Sequence, residues 1–190
     1  MIIRQETEHD FSQIYDFVKT AFRTSHHYDG TEQDYVSKLK NSNNYIPELA
    51  LVAEDENADS KIIGYIMLTK IAIKGISSVP RNAFEILLLA AVAIEADLRN
   101  KGLGSDLIRE SLKRAKNEGY AAVILAGDPE YYKRFDFVSA AKFGIKNKQN
   151  IPDENVLVLE FVPGILDGMA GTVDFYESND LKTMVDASYE

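Results

Sequence analysis

The chain has 190 residues, of which 45% are hydrophobic and 27% are charged, values typical of one globular domain with a substantial core. Because it has no cysteine, disulfides, thiolate metal sites and an acyl-cysteine intermediate are excluded. The formal net charge of −9 disfavours nucleic acid as a partner, and the apolar run 86–94 is too short to cross a membrane as a helix.

The first residues lack the basic start and long apolar stretch of a secretory signal, so we expect a cytoplasmic protein with no membrane partner. An acidic surface attracts cations over long distances, which would favour a cationic substrate such as an amine. Most acidic proteins are acidic only for solubility, so the charge by itself leaves both interpretations open.

Capping patterns and apolar periodicity define the first half of the chain. Thr7 with Asp10, and Thr31 with Asp34, each place a hydroxyl at a helix start with an acid three positions later. Two apolar runs separated by the turn-rich residues 54–60 predict a hairpin. The predicted elements are a strand over Met1–Arg4, helices from Thr7 to Phe22 and from Thr31 to Leu39, and strands over Leu49–Ala53 and Ile62–Leu68.

The second half alternates apolar strands with helices. Gly119 is a predicted helix C-cap, while Asp128 followed by Pro129 has the order of an N-cap and a first helical residue. The predicted elements are strands Phe84–Ile94, Tyr120–Ala126, Val156–Phe161 and Thr172–Tyr176, and helices Gly104–Glu118 and Pro129–Phe135. A strand, a helix and a second strand in succession predict a parallel pair with a right-handed crossover.

The predicted fold class is therefore mixed α/β, with a mostly antiparallel central sheet, a parallel strand-helix-strand core and flanking helices. We expect one domain over residues 1–176 and a C-terminal tail over 177–190.

A glycine-containing segment lies between the buried strand and the long helix, where a helix N-terminus favours anions. Its two glycines let backbone amides approach a ligand closely, so it would suit a pyrophosphate. A plain glycine turn is the alternative. Leu107 at the third glycine position argues against a dinucleotide fingerprint, and no Gly-Lys-Ser or Gly-Lys-Thr of a P-loop is present. The segment is Arg99-Asn100-Lys101-Gly102-Leu103-Gly104-Ser105.

Two motifs resemble those of the GNAT N-acetyltransferases. Arg99-x-x-Gly102-x-Gly104, opening a helix after an apolar strand, is similar to the coenzyme A pyrophosphate loop, motif A. Residues 127–137, Gly-Asp-Pro-Glu-Tyr-Tyr-Lys-Arg-Phe-Asp-Phe, resemble the Gly-Asp-Pro-x-Tyr-Tyr-x-Arg-Phe-Gly-Phe signature of one acetyltransferase branch. The resemblance extends over about residues 1–176 and implies a GNAT fold, acetyl-CoA as the cofactor and an amine acceptor.

The resemblance also implies where the cofactor binds. The pantetheine arm would pair with the backbone near Ala93 and Ile94, and the pyrophosphate would take amides from Lys101 to Ser105. Arg99 and Lys101 would add positive charge. Asp136 departs from the family's glycine, and since aspartate adopts left-handed backbone angles less readily, we expect the turn there to differ.

Acyl transfer from a thioester to an amine needs a proton donor for the leaving thiolate and a base for the amine. The resemblance indicates Tyr132 as the acid, the alternative being that Tyr131 and Tyr132 are only core and rim aromatics. Leu88 stands where some family members have a glutamate base. We therefore expect Glu32, at the start of the second helix, to be the base, with an exposed glutamate that merely favours the helix dipole as the alternative.

No metal site is predicted, because the three histidines show no close pairing with carboxylates at the spacing of metal ligands. His26 and His27 are expected to be solvated loop residues, and Asp55, Glu56 and Asp59 a solvated turn. Two functions stay open. One is direct acetyl transfer from acetyl-CoA to a small-molecule or peptide amine, and the other is a non-catalytic acyl-CoA-binding or regulatory domain, as a monomer or homodimer in either case.

Overall fold

The computed structural model describes residues 1–23, 30–56, 60–75 and 84–176. Within these ranges the helices are α1 (Phe11–Phe22), α2 (Glu32–Lys40), α3 (Leu103–Asn117) and α4 (Pro129–Tyr132). The strands are β1 (Ile2–Gln5), β2 (Tyr45–Asp55), β3 (Lys61–Ile73), β4 (Phe84–Ile94), β5 (Ala122–Ala126), β6 (Val138–Ser139), β7 (Ile145–Asn147), β8 (Val156–Glu160) and β9 (Gly171–Val173).

The main sheet has the strand order β1-β2-β3-β4-β5-β8-β6. Strands β1 and β2, β2 and β3, β5 and β8, and β6 and β8 pair antiparallel, whereas β4 and β5 pair in parallel. Helix α3 connects the parallel pair, as the sequence predicts for a crossover connection. The predicted mixed, mostly antiparallel sheet with a parallel strand-helix-strand core is confirmed. Strands β7 and β9 form a separate parallel pair.

Contacts group the chain into two compact units. The first unit comprises the described residues within 1–69 and 89–118, and the second comprises those within 70–88 and from 119 onward. Strands β3 and β4 each contribute residues to both units, since the division falls within these strands. One domain over residues 1–176 stays a prediction.

In the first unit, α1 and α2 form where the sequence predicts helices, and the predicted capping box is present at Thr7 and Asp10, whereas the Thr31 side chain makes no cap hydrogen bond at α2. The Asp10 carboxylate accepts a hydrogen bond from the Thr7 backbone N–H at 2.7 Å, the reciprocal half of a capping box. The apolar face of α1, with Ile14, Val18 and Ala21, is buried. The Tyr15 hydroxyl donates to Asp34 at 2.9 Å and links the two helices.

The first unit also contains a buried ion pair that periodicity does not indicate. The Lys40 ammonium lies 2.7 Å from the Glu6 carboxylate and 4.1 Å from the centre of the Phe11 ring. The Tyr45 hydroxyl donates to the other Glu6 oxygen at 2.5 Å. Burial raises the pKa of Tyr45, and the Glu6 carboxylate raises it further, while burial lowers the pKa of Lys40. Hydrogen bonds and the opposite charge are what make these buried polar groups tolerable.

In the second unit, β5 is nearly continuously buried and pairs with β8 from Ala122 opposite Glu160 to Ala126 opposite Val156. It begins two residues later than predicted. The last strand, β9, begins at Gly171 and ends at Val173, earlier than the predicted segment 172–176. The sequence did not predict β6 and β7, since strands of two and three residues are too short to show alternation.

Candidate active site

The segment Arg99 to Ser105, called the cofactor segment below because it is predicted to bind the cofactor, follows β4 in the first unit. After a single 3-10 turn at Ala96–Leu98, Asn100 and Gly102 adopt left-handed backbone angles, with φ of 60° and 96°. Gly102 is the N-cap of α3, and a Cβ there would meet no atom within 4 Å. Glycine is therefore favoured at position 102 by its backbone conformation and not by crowding. The space beside the Gly102 Cα is open to a ligand.

The first turn of α3 is suited to an anion. The Asp106 backbone N–H donates to the Gly102 carbonyl at 3.0 Å, and the amides before it have no intrahelical acceptor in an α-helix. Leu103 is buried and anchors this turn, whereas Lys101 and Gly102 are exposed. The unpaired backbone donors of this turn, the helix dipole and the Lys101 charge together suit an anion such as a pyrophosphate.

Arg99 makes a contact that the sequence did not indicate. Its guanidinium donates to the Ala21 carbonyl oxygen in the last turn of α1. A cation at this position caps a helix C-terminus, where carbonyl groups lack intrahelical donors. The structure therefore shows Arg99 connecting the cofactor segment to α1, while a direct contact with phosphate stays a prediction.

The two residues expected to pair with pantetheine lie at the end of β4. Ala93 is buried and Ile94 is half-buried, and the next backbone amide, that of Glu95, donates to the Ile63 carbonyl at 3.0 Å. The parallel register of β4 and β5 joins Leu87 with Val123 and Leu88 with Ile124. Ala93 and Ile94 lie beyond these paired positions, towards the carboxyl end of the strand.

Tyr132 is the last residue of α4, in the second unit. The helix begins as predicted, because the Asp128 carboxylate accepts from the Glu130 N–H at 2.9 Å and Pro129 occupies the first position. The half-buried Tyr132 ring packs edge-on against Tyr131 and Phe137, with centroid distances of 5.0 and 5.7 Å. Edge-on ring contacts of this kind favour the observed orientation of the Tyr132 ring.

The Gly-Asp-Pro signature begins at Gly127, a position where the structure leaves no room for a side chain. A Cβ at this position would lie 2.5 Å from Cε2 of Tyr132 and 3.0 Å from Cδ1 of Leu125. The Tyr132 ring therefore occupies the space that a side chain would need. The Gly127 peptide is bonded to Asn155 in both directions, with Gly127 N–H to the Asn155 carbonyl at 2.9 Å and Asn155 Nδ2 to the Gly127 carbonyl at 3.2 Å. No sequence signal singled out Asn155.

Asp136 adopts the left-handed conformation that the family's glycine favours, with φ of 66° and ψ of 19°. Aspartate is among the non-glycine residues that enter this region more readily, since its short polar side chain bonds locally. The aspartate therefore does not prevent the left-handed turn between Phe135 and Phe137.

Glu32 is the first residue of α2, as predicted, and only 2% of it is exposed. The alternative of an exposed glutamate that merely favours the helix dipole is therefore wrong, while the role of Glu32 as the base stays a prediction. Sequence periodicity could not show this, because the burial of a helix start depends on its tertiary neighbours. Leu88, at the position of the glutamate found in some family members, is also buried.

The predictions about the loop histidines, the acidic turn, metal ligands and membrane helices concern other parts of the chain. His26, His27 and Asp59 fall outside the described residues. Glu56 bonds to the N-terminal ammonium at 2.7 Å. Within the described ranges, no three His, Asp or Glu side chains are grouped as metal ligands would be. None of the helices in those ranges has the length and apolarity needed to cross a bilayer.

Comparison with known proteins gives the family. The model of the acetyltransferase (GNAT) domain matches residues 2–140, a segment that includes the cofactor segment and the Gly-Asp-Pro motif. The chain therefore belongs to the GNAT acetyltransferase family. Among curated proteins it is similar to the uncharacterized N-acetyltransferase YhbS of Escherichia coli K12, at 29% identity over 129 residues, which cover 68% of this chain and 72% of YhbS.

Solved structures agree with this assignment. The crystal structure of YhbS from Escherichia coli in complex with CoA is 25% identical, with a TM-score of 0.80 and coverage of 93% of this chain and 90% of that chain. A GNAT acetyltransferase from Brucella melitensis in complex with acetyl-CoA is 24% identical, with a TM-score of 0.73 and coverage of 93% and 96%. The second likeness shows the same fold.

Proposed function

We propose that this protein is an N-acetyltransferase that uses acetyl-CoA and transfers the acetyl group directly to an amine of a small molecule or peptide. The observation that carries the proposal is the left-handed Gly102 turn at the start of α3, in a segment that resembles motif A and lies within the residues 2–140 that the family model matches. The structures of YhbS with CoA and of the Brucella protein with acetyl-CoA support the choice of cofactor.

The bound cofactor would supply an acetyl group activated as a thioester. The backbone amides from Lys101 to Ser105, through Leu103 and Gly104, would bind its pyrophosphate, and Lys101 would add a positive charge at the exposed side of the turn. The backbone at Ala93 and Ile94 would pair with the pantetheine arm. Arg99 would stabilise this arrangement through its hydrogen bond to the Ala21 carbonyl, which connects the segment to α1.

The chemistry follows from the groups that the chain provides. With no cysteine to accept the acetyl group, the amine nitrogen would attack the thioester carbon, so that a C–N bond forms as the C–S bond breaks. Tyr132 would give its phenolic proton to the leaving sulfur, which a phenol of reference pKa about 10 can do for a thiolate of about 8.5. The proton lost by the amine needs a base, for which Glu32 stays the candidate.

The variant Glu32→Gln tests this role, because glutamine keeps the size and polarity of the side chain but cannot accept the proton. If the Glu32 carboxylate is the base, we expect turnover to fall while the stability of the protein is unchanged.

Calorimetric titration with acetyl-CoA tests the cofactor site. We expect micromolar binding by the wild type, and binding at least about tenfold weaker in Gly102→Asp, because the side chain strains the turn and places a negative charge before the amides. Gly119→Asp is the matched control, since Gly119 has a φ of 85° with no atom within 4 Å of a Cβ and lies at the other end of α3. A folded wild type that does not bind acetyl-CoA would overturn the proposal.

Turnover tests the role of Tyr132. In an amine screen that follows CoA release, we expect Tyr132→Phe to lower kcat about 10- to 100-fold with little change in the KM for acetyl-CoA, because only proton donation is lost. Tyr131→Phe removes the neighbouring phenol and should leave kcat nearly unchanged. Binding of acetyl-CoA without transfer to any amine would instead support the non-catalytic acyl-CoA-binding domain.

A further inference from the structure

We propose that Asn155 is a positioning residue that sets the location of the Tyr132 phenol by holding the Gly127 peptide. The proposal concerns catalysis only in so far as Tyr132 acts as the acid, and to that extent it depends on the proposed function. Gly127, Tyr132 and Asn155 all lie in the second unit, where Asn155 is hydrogen-bonded to Gly127 and the Tyr132 ring lies beside the Gly127 Cα.

Asn155 extends the pairing of β5 with β8 by one position. The register ends with Ala126 opposite Val156, and beyond it the Gly127 N–H donates to the Asn155 carbonyl at 2.9 Å. The Asn155 amide then donates back to the Gly127 carbonyl at 3.2 Å. Because its own N–H donates to the Pro152 carbonyl at 2.9 Å, Asn155 is itself held in place. Both polar groups of Gly127 are thus bonded to one residue.

The position of Gly127 determines where the Tyr132 ring can lie. The ring occupies the space beside the Gly127 Cα, so a Cβ built there would lie 2.5 Å from Cε2 and 2.9 Å from Cδ2 of Tyr132. The next residue, Asp128, caps the helix that contains Tyr132 through its bond to the Glu130 N–H. A rotation of the Gly127 peptide would therefore move both the surface under the ring and the start of its helix.

A side-chain amide is needed for this geometry. The half-buried Asn155 offers a donor to the Gly127 carbonyl, which aspartate and alanine cannot do. A partly buried carbonyl that loses its donor tends to reorient towards another partner. Asn147 provides a matched comparison, since it is half-buried in the same unit and bridges the Ile151 backbone with two bonds of 2.9 Å.

The first test measures the position of the tyrosine ring in the free protein. With fluorotyrosine incorporated, Tyr132→Phe identifies the Tyr132 fluorine signal, which senses the rings of Tyr131 and Phe137. We expect Asn155→Ala and Asn155→Asp to shift or broaden this signal, and Asn147→Ala to leave it in place. An unchanged signal in a folded Asn155 variant would overturn the proposal.

The second test measures turnover. We expect Asn155→Ala to lower kcat about tenfold, since small displacements of a catalytic group have effects of this size, with the KM for acetyl-CoA within about twofold of wild type. In a Tyr132→Phe background the same substitution should cause no further loss. An equal loss in both backgrounds would mean that Asn155 does not act through Tyr132. If Asn155→Ala does not fold, Asn155→Asp, which keeps the shape, serves in both tests.

The two proposals fail in different ways. If the wild type transfers no acetyl group to any amine, the proposed activity is overturned. The fluorine signal, which needs neither cofactor nor turnover, then still decides whether Asn155 positions the Tyr132 ring.

Discussion

Asp10 accepts four hydrogen bonds at the start of α1. Two come from the Arg4 guanidinium, at 2.7 and 2.9 Å, and two from the backbone and hydroxyl of Thr7, at 2.7 and 2.9 Å. The Arg4 guanidinium, followed by the Thr7 donors, holds the pKa of the Asp10 carboxyl below its usual value against the opposing effect of burial. A lowered pKa stabilises the folded state above the pKa of the unfolded state, about 3.9, and this stabilisation is lost as the pH falls.

We therefore expect Asp10→Asn to lower the free energy of unfolding by about 1 to 2 kcal/mol at pH 7, towards the lower end because Arg4 is partly exposed to solvent. The difference from wild type should shrink between about pH 5 and pH 2, where the wild-type carboxylate loses its advantage. Urea unfolding at several pH values measures this, with the exposed Asp153→Asn as control. A difference that does not depend on pH would contradict the assigned ionisation.

The site residues differ in how far the sequence could reveal them. The turn at Gly102 was predictable, because a glycine between a buried strand and a helix is typical of a turn with left-handed backbone angles. The burial of Glu32 and the bonds between Gly127 and Asn155 were not, since each depends on which distant residue packs nearby. The side chain of Arg99 could have contacted either a phosphate or a carbonyl, and sequence alone does not distinguish these.

Helix α3 is placed against β3 by the absence of a side chain at Gly64. A Cβ there would lie 2.8 Å from Cδ1 of Leu107, 3.2 Å from Cβ of Ala53 and 3.3 Å from Cδ1 of Ile94. Leu107 is fully buried, so it cannot move aside without disturbing its neighbours. The Leu107 side chain therefore packs directly on the Gly64 backbone, and this contact ties the N-terminal part of α3 to β3.

Gly64→Ala should accordingly lower the free energy of unfolding by about 1 to 3 kcal/mol through overpacking. Leu107→Ala alone should cost about 2 to 5 kcal/mol, and the double variant should cost less than the sum, because the new methyl group partly fills the space that Leu107 leaves. Urea unfolding of the four proteins gives the coupling energy. Strict additivity would show that Gly64 does not limit this contact.

The sequence predicted the first and last residues of a strand correctly where the strand is a long, almost entirely buried apolar run. Strand β4 has the bounds that were predicted, since a long apolar run after a loop leaves little choice. Strand β2 begins at Tyr45, before Pro47, where a proline argues against a regular strand. A register shift between Tyr45 and Ala50 accommodates it. The register of β2 against β3 is a tertiary property, so the local sequence pattern could not predict this extension of the strand.

At the scale of the whole molecule, the net charge affects how charged ligands approach the protein. A formal net charge of −9 produces a negative potential that raises the local concentration of cations and lowers that of anions. If the acceptor is an amine, protonated in bulk solution, this field acts on its encounter with the protein before any contact forms. Such attraction acts over distances that salt screens.

We expect kcat/KM for a dicationic amine to fall severalfold between about 20 mM and 300 mM salt, while that for a zwitterionic amine of similar size changes little. Initial rates at saturating acetyl-CoA in each buffer separate this effect from any influence of salt on cofactor binding. Equal salt dependence for both amines would show that the acidic surface does not guide the acceptor.

The left-handed turn at Asp136 has a consequence for how this protein can change over generations. Glycine and aspartate codons can differ by one base, so the glycine of the signature that residues 127–137 resemble is a single nucleotide substitution away. Because the backbone already has the angles that glycine prefers, the reverse change would need no rearrangement of the chain. Lineages could therefore exchange the two residues repeatedly, and aspartate at this position is weak evidence for a distinct activity.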